Sequence, residues 1–225
     1  MQFANTEQVF CIDEVVDMAG RPAKYCRETV IGNAMAEFWS RGFVGSDIDG
    51  LTGAAGVNRH SLYKAFGGKR GLFLDALRHY VDGVAAGYVK LLEQGSGLDD
   101  ICAYFAYATG MRQVENPDAE PQGFDQRGCF LVNTAIELGH SDPQVTALLE
   151  VYYARIENAF AGLIRRGQES GSIRSDIDPH ITARWLRVTS QGLSVSSRMG
   201  SVPGDLTGVV RMALATTEQA KGERG

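Results

Sequence analysis

The sequence has few of the side chains from which metal and disulfide sites are usually built. Its 225 residues include only four histidines and four cysteines. The histidines form no i,i+4 pair and no HExxH motif, and the cysteines form no CxxC pair, so neither a zinc site nor a secreted disulfide framework is indicated. We therefore expect reduced thiols in a cytosolic protein, with no bound metal and no cofactor. The four cysteines are Cys11, Cys26, Cys102 and Cys129.

Long apolar runs and a secretory leader are also missing. No stretch approaches the roughly 18 to 20 apolar residues that a membrane span needs. Residues 1–20 contain four acidic side chains and no lysine or arginine, the opposite of a signal peptide. An apolar fraction of 44% with 22% charged residues is typical of a globular chain. The expected location is the cytoplasm, and no membrane partner is expected.

Motifs of the common enzyme classes do not occur. There is no GxSxG, no GxGxxG and no Walker lysine, since Lys69 is followed by Arg70 instead of Ser or Thr. A cysteine-dependent enzyme is the alternative from another class, with Cys129 as nucleophile and His140 as base. Both residues lie in one short segment with no partner in view to orient the base. The sequence therefore predicts no enzymatic activity.

The net charge of −5 hides an uneven distribution along the chain. Residues 21–80 carry nine Lys or Arg side chains against five Asp or Glu, a balance of +4, whereas residues 1–20 and 81–225 are acidic. A basic module between acidic flanks indicates an anionic partner, such as nucleic acid, for the basic part. Chance is the alternative on charge alone, because +4 is modest.

Helical periodicity runs through almost the whole chain. Apolar residues recur at helical spacing within residues 31–38, 145–163 and 181–199. Asp-Pro pairs at 142–143 and 178–179 are helix-start signals, an N-cap followed by proline in the first turn. No segment alternates as a strand does. The sequence predicts an all-α fold of about nine helices.

Two short helices between Ser46 and Phe66 have the features of a helix-turn-helix. Ala54 and Ala55 are small where the helices cross, and Gly56 tolerates the positive φ of the turn. Polar side chains then occupy the beginning of the second helix, where a recognition helix meets base edges. These side chains are Asn58, Arg59, His60 and Ser61.

A longer pattern around this motif matches a known family in order and spacing. The matching stretches are residues 38–43, 46–52, 54–59 and 61–69, and a shorter match covers residues 128–138. The first four resemble the N-terminal domain of TetR-type transcriptional regulators, and the last is similar to one subgroup of that family. The resemblance implies a DNA-binding regulator, a repressor in most such families.

The resemblance also implies a division of the chain. Residues 1–20 would be an N-terminal extension, mobile or packed on a partner subunit. Residues 21–80 would be the DNA-binding domain, with the helix-turn-helix at about 46–65. Residues 81–225 would form a larger helical domain for dimerisation and ligand binding. Gly50 and Gly53 depart from the family pattern, and each is expected to cost about 1 kcal/mol of helix stability relative to Ala.

A TetR-type regulator would act as a homodimer on a near-palindromic operator in double-stranded DNA. By analogy Tyr63 and Lys69 hold phosphates, while residues 58–61 and Lys64 face the major groove. Lys69 begins a predicted helix, where amide groups and the helix dipole favour an anion. Because the charge of the basic module is small, tight binding should need two modules on one duplex and should weaken steeply with salt. The candidate DNA contacts are Ser46, Asn58, Arg59, His60, Ser61, Tyr63, Lys64 and Lys69.

The larger predicted domain concentrates aromatic side chains, some of which could line a pocket for a small-molecule effector of unknown identity. Effector binding would favour a spacing of the recognition helices that no longer fits the operator. The predicted helix at 179–199 and the last helix fit a dimer interface, with packing inside the chain as the alternative. The candidate ligand contacts are Phe105, Thr109, Phe130, Asn133, Tyr153 and Trp185, with Arg187 as a further polar group.

Cys129 carries a second functional hypothesis. It falls at a predicted helix start beside Arg127, and both features lower the pKa of a thiol. Some relatives with a similar segment sense electrophiles or oxidants through cysteine, so a thiol-based redox or electrophile sensor is the alternative function. A buried, inert thiol next to Phe130 is the structural interpretation of the same residue.

Overall fold

The structure is a computed structural model that describes residues 26–108, 127–201 and 206–216. All regular structure in these residues is helical, which confirms the all-α prediction. One continuous helix comprises α4 (Lys69–Tyr80), a π-helical turn (Val81–Ala85) and α5 (Ala86–Gln94), so the described part holds nine helices. The others are α1 (Arg27–Gly45), α2 (Ile48–Ala55), α3 (Arg59–Phe66), α6 (Leu98–Ala108), α7 (Phe130–Leu138), α8 (Pro143–Glu169), α9 (Pro179–Arg198) and α10 (Leu206–Leu214).

Three predicted features fall outside the described residues, namely the N-terminal extension at 1–20, the thiol of Cys11 within it and the candidate ligand contact Thr109. No helix in the part of the chain that the structure describes has the length and apolarity needed to cross a membrane.

Local capping explains where four of the helices begin. The side chains of Asp47 and Asn58 accept hydrogen bonds from backbone amides in the first turns of α2 and α3. Asp142 and Asp178 do the same for α8 and α9, each followed by a proline whose missing N–H needs no partner there. Gly56, with a φ of 68°, closes α2 in the left-handed conformation that the tight turn before α3 requires. Each element of the motif thus starts or ends at a residue suited to that position.

Gly42 interrupts α1. Its backbone has a φ of 78° and a ψ of 174°, and residues 43–45 form a separate helical turn beyond it. The amides of Phe43 and Val44 donate to the carboxylate of Glu137 in α7, at 2.8 and 2.6 Å. A Cβ at position 42 would lie 2.8 Å from that carboxylate, so glycine permits both the kink and the close approach of α7.

The buried apolar side chains form two clusters. The first joins α1–α4 to α7 and the beginning of α8, and the second joins α5, α6 and α8–α10. Phe130 in α7 packs edge-on against Phe73 and Tyr80 of α4, with ring centroids 5.8 and 5.7 Å apart. The apolar contacts therefore continue across residue 80, so residues 27–80, which we call the head, share a core with α7.

The cysteines do not all have the expected state. Cys102 and Cys129 are free and buried. Cys26, however, is disulfide-bonded, so the expectation of reduced thiols is wrong for this residue. Within the described ranges, no group of three or more His, Cys, Asp or Glu side chains is placed to bind a metal ion.

Gly53 should be replaceable with a gain in stability. A Cβ at this position in α2 would meet nothing within 4 Å, so Gly53→Ala is expected to stabilise the protein by about 0.5–1 kcal/mol. Urea denaturation measures the change. Gly56→Ala is the matched control, because its surroundings are equally open but its φ of 68° disfavours any L side chain. It should destabilise the protein, and a loss of stability in Gly53→Ala would contradict the prediction.

Candidate nucleic-acid interface and effector cavity

The second helix of the motif, α3, presents a polar face to solvent. Leu62 is fully buried and fixes the helix against the core of the head, while the side chains on the opposite face are exposed. Ser61 is half-buried. Of the predicted DNA contacts, the exposed ones on α3 and its N-cap are Asn58, Arg59, His60, Tyr63 and Lys64.

Tyr63 and Lys69 both lie where α3 meets the beginning of α4, and we call this pair the Tyr63–Lys69 site. Gly68, with a φ of 101°, lies so close to Tyr63 that a Cβ at position 68 would be 3.1 Å from its ring. The Nζ atom of Lys69 lies 4.5 Å from the centroid of the Phe43 ring, a cation–π contact that holds the ammonium near the helix end. A phosphate placed here would meet a hydroxyl, an ammonium and the free amides of the first turn of α4.

Arg59 and Ser46 have different environments. Nη2 of Arg59 lies 3.0 Å from Oδ1 of Asp49, with both side chains mostly exposed. A surface ion pair of this kind contributes little free energy, so the guanidinium can exchange the carboxylate for a base edge. Ser46 is fully buried, and its hydroxyl donates to the Gly42 carbonyl at 2.7 Å. The structure therefore places Ser46 in the interior, away from the exposed face of α3, because the kink in α1 offers it a backbone acceptor.

Several polar contacts join the head to the rest of the chain. Arg70 forms two hydrogen bonds with the carboxylate of Asp142, at 2.8 and 2.9 Å, which hold the pKa of that carboxyl below its usual range. Nε1 of Trp39 donates to the Gly128 carbonyl at 3.0 Å in a buried contact. Arg198 at the end of α9 donates to the carbonyl of Trp39 at 3.4 Å. The head is thus bonded to both ends of α7 and to the beginning of α8.

A small cavity of about 30 Å³ lies between α4, α5, α6, α8 and α9 and the N-terminal end of α7. Of the residues named from the sequence as candidate ligand contacts, Tyr153 and Arg187 line it, as does Cys129. Further lining residues escaped the sequence argument, because periodicity marks a position as buried without showing what it is buried against. The lining residues are Tyr80, Ala85, Tyr88, Tyr104, Cys129, Val132, Tyr152, Tyr153, Ile156, Arg187, Ser190 and Gln191.

The other candidate ligand contacts do not line this cavity. Phe105 is fully buried in the second apolar cluster, and Phe130 is buried against α4. The Nδ2 atom of Asn133 donates to the Arg127 carbonyl at 2.8 Å. Trp185 is 40% exposed on the outer side of α9. These side chains pack helices together or face outwards. The cavity, in contrast, is lined by five tyrosines among its twelve residues, and tyrosine hydroxyls need polar partners when buried.

Cys129 occupies the predicted helix start, as the N-cap of α7, but it is not activated. Its backbone amide donates to Oγ of Ser194 at 2.6 Å, and the hydroxyl of Tyr80 donates to its Sγ at 3.6 Å. Burial raises the pKa of the Cys129 thiol, and hydrogen bonds from neighbouring amides oppose the shift without reversing it. The exposed His140 follows the opposite end of α7, roughly 15 Å away by helical rise. This geometry favours neither a reactive thiolate nor a Cys–His catalytic pair.

The outer face of α9 is apolar and exposed. Its exposed apolar side chains follow one another at intervals of four, three, seven and four residues. Gly192 lies within the seven-residue interval, and a Cβ there would meet nothing within 4 Å. The nearby Ser194 and Ser197 face inwards and are buried. A continuous exposed stripe of this kind marks an interaction surface. We call it the α9 stripe, and it consists of Ile181, Trp185, Val188, Val195 and Met199.

Comparison with known proteins agrees with this geometry. A family model described as bacterial regulatory proteins of the tetR family matches residues 30–76, and one described as a tetracyclin repressor-like C-terminal domain matches residues 118–215. The Escherichia coli repressor ComR is 28% identical over 184 residues, which is 81% of this chain and 84% of ComR. The repressor DhaR of Mycobacterium sp. strain GP1 is 28% identical over 203 residues, 88% of this chain and 96% of DhaR.

A solved structure is similar over most of its length. It contains a cysteine mutant of the TetR family regulator CifR bound to a 26-bp operator DNA, with 29% identity and a TM-score of 0.66. The match covers 86% of this chain and 97% of the CifR chain. The exposed polar face of α3, the Tyr63–Lys69 site at the start of α4 and these matches lead to one conclusion. The chain belongs to the TetR family of DNA-binding transcriptional regulators, which are not enzymes.

Proposed function

We propose that the protein is a cytoplasmic, homodimeric repressor that binds a near-palindromic operator and leaves it when a small-molecule effector binds. The observation that carries the proposal is the exposed polar face of α3 beside the Tyr63–Lys69 site at the start of α4. The relatives ComR and DhaR are repressors, and the CifR structure holds operator DNA. In this proposal residues 21–80 read the DNA, and residues 81–225 dimerise and bind the effector.

The α9 stripe supports the dimeric part of the proposal. Two copies of the chain that pack these stripes together would bury five large apolar side chains from each, which is the usual composition of an interface core. One head carries too little positive charge to hold DNA tightly, so dimerisation would supply the second head and a self-complementary reading of the operator.

The cavity supports the effector part of the proposal. One of its lining residues, Tyr80, ends α4, and Cys129 and Val132 belong to the beginning of α7. The opposite end of α4 carries Lys69, and the opposite end of α7 holds the backbone after the Gly42 kink through Glu137. A change in cavity volume would therefore displace two helices whose far ends support the DNA-reading surface.

Substitutions of the predicted DNA contacts should have two different effects on binding, one on the affinity for any duplex and one on the preference for a base. Tyr63→Phe and Lys69→Met are expected to weaken binding to operator and unrelated duplexes alike by about tenfold, because phosphate contacts carry no sequence information. Arg59→Met should instead relax the preference at one base position by about 1–3 kcal/mol. Selection of duplexes from a random pool identifies the operator, and fluorescence anisotropy with single-base variants measures each affinity.

Lys90→Met is the matched control, because Lys90 is an exposed lysine on α5, away from α3. It should leave both affinities unchanged. The assignment of the Tyr63–Lys69 site is wrong if replacing Lys69 has no larger effect than replacing Lys90, or if it changes base preference without changing the dependence of affinity on salt.

A further inference from the structure

The walls of the effector cavity are unusually rich in tyrosine. Five tyrosine rings from α4, α5, α6 and α8 surround a volume of about 30 Å³. Those of Tyr88 and Tyr104 meet edge to face, with centroids 5.8 Å apart. Aromatic edges and faces of this kind complement the faces and edges of another planar ring. The five residues are Tyr80, Tyr88, Tyr104, Tyr152 and Tyr153.

The charges that line the cavity are already balanced. Nε of Arg187 lies 3.1 Å from the carboxylate of Glu157, and its Nη1 donates to Gln191 at 3.0 Å. Arg184 shares the same carboxylate at 3.4 Å, but its side chain is 68% exposed, so water compensates for its charge. Burial keeps the thiol of Cys129 neutral by raising its pKa, and the same cause raises the pKa of the phenols of Tyr80, Tyr104, Tyr152 and Tyr153. A charged ligand would lose its hydration here without gaining a free counter-charge from the residues that the structure describes.

One buried donor in this site lacks an acceptor. The hydroxyl of Tyr153 is buried and has no hydrogen-bond partner among the described residues. The side chain of Gln191 lies close enough to oppose the rise in the pKa of this phenol, but it forms no well-aligned hydrogen bond with the hydroxyl, and its Oε1 already accepts from Arg187. A buried hydroxyl without a partner is unfavourable, so an oxygen acceptor placed in the cavity would relieve this penalty.

The cavity is so small that a ligand could enter it only if the surrounding helices moved. About 30 Å³ accommodates one or two water molecules, whereas a benzene-sized ring needs on the order of 150 Å³. A ligand must therefore move the walls, which include Tyr80 and the π-helical residue Ala85 between α4 and α5. Gly83 in the same turn and Gly87 just after it have no neighbouring atoms within 4 Å of a Cβ, so the segment has room to rearrange.

We infer that the effector is a small, planar, uncharged molecule that carries an oxygen acceptor, for which an aromatic ketone is the simplest representative. Its ring lies among the five tyrosines, and its oxygen accepts the hydrogen bond from Tyr153. The inference rests on the proposed function, in which an effector enters this cavity and weakens operator binding.

Calorimetry on the full-length protein with four probes of similar size tests this chemistry. Acetophenone carries the acceptor, ethylbenzene lacks it, and benzoate and benzylammonium add a negative or a positive charge. We expect acetophenone to bind at least tenfold more tightly than the other three, and to weaken operator binding in an anisotropy assay. In Tyr153→Phe the affinity for acetophenone should fall to that of ethylbenzene, whose own affinity should not change.

Tyr107→Phe is the matched control. Its ring packs against Tyr88 with centroids 5.2 Å apart, and it is not among the residues that line the cavity. This variant should bind acetophenone as the unmodified protein does. Tighter binding of benzoate or benzylammonium, or an unchanged acetophenone affinity in Tyr153→Phe, would overturn the inference. If no probe binds while operator binding is intact, the effector class is wrong but the regulator stands; if the unmodified protein binds no duplex, the proposed function itself fails.

Discussion

Val188→Glu should convert the protein into a monomer and lower its operator affinity by roughly 100-fold or more. Val188 is 53% exposed in the middle of the α9 stripe. In a dimer that pairs two such stripes, each glutamate would be buried opposite its symmetry mate, and an unpaired buried charge strongly destabilises an interface. A monomer would then engage one half of the operator and lose the gain in effective concentration that a joined second head provides.

Two measurements distinguish the effect of Val188→Glu on dimerisation from its effect on DNA binding. Sedimentation velocity gives the oligomeric state, and anisotropy on a full operator and on a half-site gives the affinities. The slope of log affinity against log salt concentration should fall by about half in the variant, because half as many phosphates are contacted. Val84→Glu is the matched control, since Val84 is 40% exposed but lies on the π-helical turn. If Val188→Glu remains a dimer with full operator affinity, the assignment of the α9 stripe is wrong.

The helix boundaries could be predicted because capping is local. Asp47 and Asn58 each bond an amide three residues further along the chain, so a short stretch of sequence contains both partners. The same locality explains the success of the helix-turn-helix assignment, in which caps, small residues and the turn glycine all lie within 21 residues, positions 46–66.

The cavity could not be predicted in the same way, because its walls come from distant parts of the chain. Tyr80 and Tyr152 meet only after α4 and α8 pack together. Helical spacing identified Trp185 as one of a series of apolar residues, but did not show that the series faces outwards as the α9 stripe. The environment of Ser46 could not be predicted for a related reason, because only the kink at Gly42 shows that its hydroxyl donates to a backbone carbonyl.

The weakly matched segment at 128–138 has a larger structural role than the sequence indicated. Leu131 and Val132 belong to the same apolar cluster as the head, and Glu137 holds the backbone after Gly42. Its residue Cys129 was interpreted as a candidate sensor, yet its thiol is buried and its pKa is raised. A segment that packs against two parts of a molecule must keep particular residues for packing alone. The sequence does not distinguish residues kept for packing from residues kept for chemical reactivity.

Gly71→Ala should destabilise the protein by about 3 kcal/mol and lower operator affinity by roughly 100-fold. Gly71 lies in the first turn of α4, where a Cβ would be 1.7 Å from the carbonyl oxygen and 2.9 Å from the carbonyl carbon of Phe66. These are backbone atoms at the end of α3, so no side-chain rotation relieves the overlap. The two helices must separate, which breaks the packing of the fully buried Leu62 and Leu72 and pulls Tyr63 away from the start of α4.

Urea denaturation followed by circular dichroism measures the stability, and anisotropy measures the affinity below the unfolding transition. Gly87→Ala is the matched control, because Gly87 is also helical but a Cβ there would meet nothing within 4 Å. It should leave stability unchanged or raise it slightly, as alanine favours a helix. The contrast isolates the contact between α3 and α4 from helix propensity. If Gly71→Ala resembles Gly87→Ala in both assays, then α3 and α4 do not approach closely, and the phosphate site at their junction loses its structural basis.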